Sequence, residues 1–600
     1  MENPKPHALL RAPTPTLRSL SFCEPSPRDL QRWIAGLPKA NLGEMARLLY
    51  QSLVELNRLI TPTANRLQLL ELLRPEVYFV CRHLERHFLN QSIVLDERPR
   101  KVANLCQALQ SHLASGYKLI IARIAGQPDT GPHSHARKQV LSIALQRAAH
   151  CLCGPLVRAS QLYCPVPEGL WLELHQLYQL ARSHNLQHLM VPDPLAVYTQ
   201  KLSIGHTYLI ALLLGCARCN QMRQNDIACL VKSLEAWSSL AILQAAELPS
   251  SLFAVAPQMD AAPRYKSLFS EAEQATLLGI NPQPLVAAIN TYLRLPTTER
   301  AQSSLPLAPG MGLDLLQQLS AAWGDMSERT FPRTPGQGNL TVCIGMSALH
   351  YFMANQRTFN EVLKLPPQTS APVFKPDTGA PDVWANAFDA QQINDWENGL
   401  PFEQIEYSKP NDQAEPSNIE SYPTFKLPII NHSPGGYCLA WPKEVPSQLQ
   451  AGELLGIQDV AGQGWSVALV RWVRQVKGGG TQMGIELVAP HAQPCGLQLV
   501  RKTEQSSQYL RALLLPAISV LARPVTLITP TVPFQEGSKV SINLNGQMRR
   551  AVLSRRKTST GSFHQFEYSS IDELGAATPA NTPIRRPAGD DDFASLWKLL

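Results

Sequence analysis

From Pro27 to about residue 300, apolar residues recur every three to four positions, and the chain reads as helix after helix. Ser26 is placed to cap the first helix, with Pro27 in its first turn. Residues 42–59 put Met45, Leu48, Leu49, Leu53, Leu56 and Leu59 at helical spacing. The pattern continues over 65–89, where Pro75 is expected to break or bend it. Helices are then expected over 102–124, 136–156, 170–181, 195–216 and 226–243. Residues 247–280 are less regular, and 287–293 and 313–323 read as short helices. This is more helix than one simple bundle holds, and no fixed repeat period recurs, so stacked helical pairs are the expected packing.

Past residue 330 the pattern turns to short apolar or alternating runs broken by turn residues. Residues 340–346 are strand-like, and 360–363 close a short helix. Residues 429–441 read as strand, tight turn and strand, with Asn431, Ser433, Pro434, Gly435 and Gly436 in the middle. Strands over 465–473 and 483–488 follow, joined through Gly478, Gly479 and Gly480. Short strands at this spacing predict a small antiparallel barrel. Residues 510–521 have a short helical look, and strands over 524–527, 539–544, 548–553 and 563–568 with an Asn545-Gly546 hairpin form a second small β unit. The predicted class is α+β.

Asn431-x-Ser433-x-x-Gly436 resembles the (Asp/Asn)-x-Ser-x-x-Gly signature of PilZ domains, bacterial receptors for cyclic di-GMP. The Val-Arg-Trp strand and Gly484-Ile485-Glu486-Leu487 are similar to that barrel's closing strands. The family also carries an Arg-x-x-x-Arg arm just upstream, but no arginine lies between Arg357 and Arg471. Arg329-Thr330-Phe331-Pro332-Arg333 has the right spacing and precedes the 340–346 strand. The resemblance therefore implies one barrel split by an insertion of roughly 70 residues, tolerable because closure entropy grows only logarithmically with loop length. It implies cyclic di-GMP as the ligand, held by Arg329, Arg333, Asn431, Ser433 and Gly436. The residue types suit that chemistry. A guanidinium fork pairs with phosphate oxygens or guanine O6 and N7, while Asn and Ser offer compact polar groups and glycine lets backbone come close.

The expected units are a disordered tail at 1–25, an all-helical region at 26–325, the split barrel at 326–353 and 421–500, an acidic Pro-rich insertion at 354–420, the second β unit at 510–572, and a linker with a short amphipathic tail at 573–600. From Asp377 to Glu420 ten acidic residues face one lysine, Lys409, which is the pattern of a solvated linker. The tail, Asp590-Asp591-Asp592-Phe593 to Leu600, is either docked on its own protein or offered to a partner.

Composition narrows the function classes. A net charge of +7 over 600 residues does not suggest a nucleic-acid binder. The N-terminus lacks a signal peptide's apolar core, and the longest apolar run, 208–217, is too short to span a bilayer, so a cytoplasmic location is expected. Twelve cysteines sit mostly in apolar contexts, as reduced thiols would; Cys216-x-x-Cys219 lacks the second pair of a zinc ribbon. No nucleophile elbow, Walker loop or His-Glu-x-x-His helix is present, so neither catalytic residues nor a metal or cofactor is expected. The sequence reads as a non-enzymatic receptor that couples cyclic di-GMP to motility, pili or exopolysaccharide, with a protein partner reached through the helical region or the tail. The alternative is a scaffold whose barrel has lost its ligand. Limited proteolysis is expected to cut first within 377–420 and leave folded fragments; protection across the whole segment would contradict the linker reading.

Overall fold

The computed structural model describes residue 10 and residues 12–126, 134–324, 332–365, 421–442, 444–460, 462–500, 507–517 and 524–571. Arg329, the acidic segment 377–420 with Trp384, Phe388 and Trp396, and the tail 573–600 lie outside the described residues.

The N-terminal region contains α1 (Pro27–Ala35), α2 (Leu42–Arg58), α3 (Thr63–Leu84), α4 (Glu97–Ala125), α5 (Ser134–Gln161), α6 (Leu170–Ser183), α7 (Ile204–Cys216) and α8 (Gln224–Trp237). Ser26 caps α1, its hydroxyl accepting from the Asp29 N–H at 3.2 Å. Helix α3 runs through Pro75 instead of breaking there, because packing against α2 and α4 outweighs the one hydrogen bond a proline forfeits. By length and composition α5 could cross a membrane, yet 72% of its apolar window is buried inside the protein.

Charge is buried at the centre of this region. Arg74 on α3 forms a two-pronged pair with Asp193 at 2.8 and 2.9 Å, and Arg147 on α5 reaches the same carboxylate at 3.2 Å. Arg147 also binds Glu71 at 3.1 Å, and Tyr117 donates to Glu71 at 2.5 Å. Side chains of Arg74, Arg147 and Asp193 are at most 2% exposed, so each charge depends on its partner to repay desolvation. His150 closes the cluster against the Tyr78 hydroxyl at 2.8 Å; burial, and then Arg74, push its imidazole down to about 3.

Four expectations change here. The helix expected over 195–216 begins at Ile204, because Ser203 caps it reciprocally with His206; ahead of it β1 (Val191–Pro192) and β2 (Lys201–Leu202) form a hairpin. The helix expected over 226–243 stops at Trp237. A four-stranded sheet follows, ordered β3-β6-β4-β5, from β3 (Ile242–Ala245), β4 (Phe253–Val255), β5 (Arg264–Tyr265) and β6 (Leu278–Asn281), so the region to 325 is not all helical. Strands of two to four residues are too short to register as alternation. The described part of 1–25 is not a free tail: Leu17 bridges Leu59, Ser21 binds Glu55 and Phe22 packs on Trp33.

After the four-residue α9 (Glu271–Gln274) come α10 (Gln283–Arg294) and α11 (Leu313–Gly324), which lead to the first barrel. Its strands are β7 (Thr334–Pro335), β8 (Asn339–Ile344), β9 (Phe425–Ser433), β10 (Gly436–Trp441), β11 (Leu454–Gln458), β12 (Ser466–Gln475) and β13 (Thr481–Ala489). The order β10-β13-β12-β11-β8-β9 closes on itself through β9–β10, and β7 adds to β9. Leu340 pairs with Leu427 and Val342 with Phe425, so the strand before the insertion and the strand after it lie side by side in one barrel.

Helices α12 (Gly345–Met353) and α13 (Phe359–Leu363) pack against a second, closed barrel of β14 (Gln493–Leu499), β15 (Leu510–Leu515), β16 (Thr526–Pro530), β17 (Lys539–Leu544), β18 (Gln547–Ser559) and β19 (Phe563–Ser570), which follows β13 in the chain. Here 510–515 is a strand, not a helix: Leu513 pairs with Ile528 in the wall, and the barrel's demand for alternate apolar faces overrides local propensity. Strand β14, expected to fall within the first barrel's range, pairs with β15 and β17 of the second.

The three units share surfaces. Gln475, the last residue of β12, donates its side-chain amide to the Ile93 and Leu162 carbonyls at 2.7 and 3.0 Å, and its backbone N–H to the Tyr163 carbonyl at 2.7 Å. Arg223 of the helical region meets Glu453 of the first barrel at 3.5 Å and Ser562 of the second, while Ser562 also donates to Glu453. The buried cluster makes the protein acid-sensitive. Below the 6.5 of a free imidazole the unfolded chain takes up a proton that native His150 refuses until about 3, and Asp193, held below the usual carboxylate range, resists protonation in the same direction. Stability measured by denaturant melts is therefore expected to fall from pH 6.5 to 3. Asp193→Ala should cost about 3–5 kcal/mol at neutral pH by stranding the buried Arg74, while Arg147 keeps Glu71, and should flatten part of the carboxylate limb below pH 4.

Candidate ligand-binding site

Strand β9 pairs Asn431 with Cys438, yet Ile429 with Leu439, so Ile430 is an extra residue in the ladder. Directly paired residues share a face of a sheet. Ile429 and Leu439 pack into the core, whereas Asn431 and Cys438 lie on the outer wall. Strand β12 repeats the device: Val470 pairs with Ile485 inside, Trp472 pairs with Gly484 outside, and Arg471 is the extra residue. Two β-bulges thus turn Asn431 and Trp472 outward.

The result is a row across four neighbouring strands: Asn431, Cys438, Gly484, Trp472. A second row beside it holds Ala440, Gln482 and Arg474. Small residues form the floor. The Trp472 indole folds over Gly484, where a Cβ would come within 2.0 Å of Nε1. Arg474 sits 5.3 Å over the Trp472 ring and donates two hydrogen bonds to the Gln482 Oε1, at 2.7 and 3.0 Å. At the opposite end exposed Arg333, one residue before β7, donates from Nη1 to the Asn431 Oδ1 at 3.0 Å. Thr334 pairs with His432, which seats the arm strand on β9. Burial raises the Cys438 thiol, while Arg333 and Arg474 both pull it the other way, so the fields of two guanidiniums overlap at the floor.

Of the sequence-predicted residues, Arg333, Asn431, Ser433 and Gly436 come together. Arg329 lies outside the described residues. The Ser433 hydroxyl turns to the Gly436 carbonyl at 3.4 Å, across the Pro434-Gly435 turn. Gly436 is required by packing: at φ +157° a Cβ would stand 2.0 Å from the Ile485 carbonyl oxygen. Trp472 and Arg474 were not singled out by sequence reasoning. The signal for them was the Arg471-Trp472-Val473-Arg474 run of β12 opposite Gly484, but strict alternation would have put Trp472 inside with Val470. Among the described residues no group of three or more His, Cys, Asp or Glu could hold a metal, and Cys216 and Cys219 are buried thiols raised by desolvation.

Residues 28–249 match the family model described as the N-terminal domain of the cyclic-di-GMP receptor FimW, 252–494 its middle PilZ domain, and 495–571 its C-terminal β-barrel domain. A cyclic-di-GMP receptor FimW from Pseudomonas aeruginosa is 61% identical over 616 aligned positions, with the whole of both chains covered. The chain belongs to the FimW family. No solved structure matches it. The middle FimW model begins at residue 252, so it takes in β4–β6 of the small sheet and α10–α11 along with the barrel, while β3 falls before it.

Gly436 gives a direct check on this geometry. Gly436→Ala is expected to destabilise the protein by about 1–3 kcal/mol, because both the backbone angle and the Ile485 carbonyl resist a Cβ. Gly312→Ala, where nothing lies within 4 Å, should be near neutral in the same denaturant titration.

Proposed function

We propose that the chain is a cyclic di-GMP receptor, with the ligand bound on the outer wall of the first barrel between Arg333–Asn431 and Trp472–Arg474. The observation that carries this reading is the convergence of two guanidiniums and an indole on a floor of Cys438, Gly484 and Ala440. Membership of a family whose Pseudomonas aeruginosa relative is named a cyclic-di-GMP receptor supports it. The ligand has two phosphates and two guanine edges. Arg333, and Arg329 four positions before it in the sequence, would supply forks for phosphate or guanine O6 and N7. Trp472, which lies on Gly484, would offer a purine the face that Arg474 now covers once the guanidinium turns to the ligand, a contact worth about 1–3 kcal/mol in nucleic-acid complexes. Asn431 and Ser433 add compact polar partners, and Gly436 keeps the turn low.

No catalytic role is assigned: the site holds donors and a stacking face but no nucleophile paired with a base. The output we infer is a bacterial surface process such as motility, pili or exopolysaccharide, exerted in the cytoplasm through a protein partner. Binding would be transmitted along β12, whose outer residues wall the site and whose end residue Gln475 clasps the helical region.

Calorimetry with cyclic di-GMP on the purified protein tests the reading. Arg329→Ala and Arg333→Ala should each remove contacts worth about 1.5–3 kcal/mol, weakening binding roughly ten- to a hundredfold. Arg→Lys should rescue poorly, since an ammonium keeps the charge but lacks the planar fork. Trp472→Ala should weaken binding about tenfold, and Ser433→Ala less. Arg549→Ala with Arg550→Ala, on the second barrel, should leave binding intact. Loss only in that control would place the site elsewhere; no binding by the wild type would leave the ligand-free scaffold as the better account.

A further inference from the structure

Two contacts hold Arg474 at the candidate site, and both end on neutral groups. Its Nε and Nη2 donate to a single oxygen, the Gln482 Oε1, at 3.0 and 2.7 Å, and its guanidinium carbon stands 5.3 Å from the Trp472 ring centroid. Arg474 and Gln482 are directly paired across β12 and β13, so the two side chains leave the same face of the wall side by side. Ala440, the next residue of that row, offers no polar group to either. Arg471, on the same strand, shows the contrast: its partner is the Glu486 carboxylate, at 2.7 Å. Where Arg471 has a charge, Arg474 has an amide.

The stacking surface is thereby covered from within the chain. The indole lies on Gly484, where even a Cβ would come within 2.0 Å of Nε1, so that side has no room for a base. Arg474 covers the other. A purine that stacks on Trp472 and a phosphate or guanine edge that takes the Arg474 fork therefore need one and the same event, the swing of Arg474 away from Gln482. Burial does not oppose that swing, because Arg474 is exposed and Gln482 half-buried. The amide oxygen is also a weaker acceptor for a guanidinium than an ionised phosphate oxygen, so a ligand with phosphates can win the exchange.

We propose that Gln482 sets the affinity of the site by competing with the ligand for Arg474. While the amide holds the guanidinium, the face of Trp472 is closed, and a ligand breaks both hydrogen bonds to Gln482 before it gains either contact. The inference rests on the cyclic di-GMP reading of this wall and makes Gln482 a positioning residue, not a ligand contact. A carboxylate at 482 would hold Arg474 against phosphate, as Glu486 holds Arg471; a residue without an acceptor would leave the face open.

Calorimetry with cyclic di-GMP on the full chain, run as a double-mutant cycle, tests this. Gln482→Ala should tighten binding about three- to tenfold, since it removes the competing hydrogen bonds, and Gln482→Glu should weaken it about tenfold. In an Arg474→Ala background Gln482→Ala should gain nothing, because no guanidinium is left to release. Weaker binding by Gln482→Ala would make that side chain a ligand contact and overturn the proposal, as would an equal gain with and without Arg474. A second readout needs no ligand. With fluorotryptophan in place of Trp472, Arg474→Ala should shift the fluorine resonance by stripping the cation from the ring, and Gln482→Ala should move it the same way. A resonance that Gln482→Ala leaves unmoved would overturn the proposal whether or not the ligand binds. Absence of binding by both the wild type and Gln482→Ala would sink the receptor reading and the proposal with it; wild-type binding that Gln482→Ala leaves unchanged would sink the proposal alone.

Discussion

Alternation along a barrel strand would send Ile429 and Asn431 to the same face, and Val470 and Trp472 likewise. In each pair the first residue is needed in the core. The chain escapes the conflict by inserting Ile430 into β9 and Arg471 into β12, so that pairing skips one residue and the next side chain turns outward. Everything polar about the candidate site depends on those two insertions. Asn431 meets Arg333 only because it faces out. The Trp472 indole can lie flat over Gly484 only because both occupy the outer row. The extra residues also find partners: the Ile430 carbonyl accepts from the Gly336 N–H at 3.0 Å, and Arg471 pairs with Glu486 at 2.7 Å. A bulge left with unsatisfied backbone would cost what the outward side chain gains.

How much of this the chain announced in advance depends on element length. Helices α2 to α6 carry many apolar residues at helical spacing, and their existence was legible. The motif residues were legible too, because Asn-x-Ser-x-x-Gly fixes its own turn: Pro434-Gly435 at the tip and a glycine where Ile485 leaves no room. The strands of β3 to β6 were not, because each has two to four residues. Strand β15 was misread because Leu510 to Leu515 is nearly uniform in apolarity, and a short apolar run does not reveal its period. Trp472 and Arg474 were hidden for a different reason. Their role rests on a register shift, and pairing register belongs to two strands at once, so no reading of one strand discloses it.

Recognition and stability are also separated in space. The buried ion cluster of Arg74, Arg147 and Asp193 holds α3 and α5 to the β1 end of its hairpin, where a lost partner strands a desolvated charge. The arginines of the wall are exposed, so removing one costs little folding energy, and in the proposed receptor its loss would fall on binding. Glu453 lies between these extremes. Its carboxyl is raised by burial, with Ser562 and Arg223 opposing that rise, and it joins both barrels to the helical region.

The strand that links the two regimes is β12. Arg474 faces the site, and the next residue, Gln475, makes three hydrogen bonds to carbonyls of the helical region. A ligand that takes the Arg474 fork must first release it from the Gln482 amide oxygen, where both donors are engaged. Gln482 belongs to β13 and pairs directly with Arg474, so that exchange acts on the last rungs of the β12–β13 ladder. Beyond those rungs lies the glycine hairpin, with Gly478, Gly479 and Gly480 all at positive φ and no side chains to stiffen it. Gln475 stands between Arg474 and that pliant loop, so in the proposed receptor the clasp would be the path by which a change at the site reaches the helices.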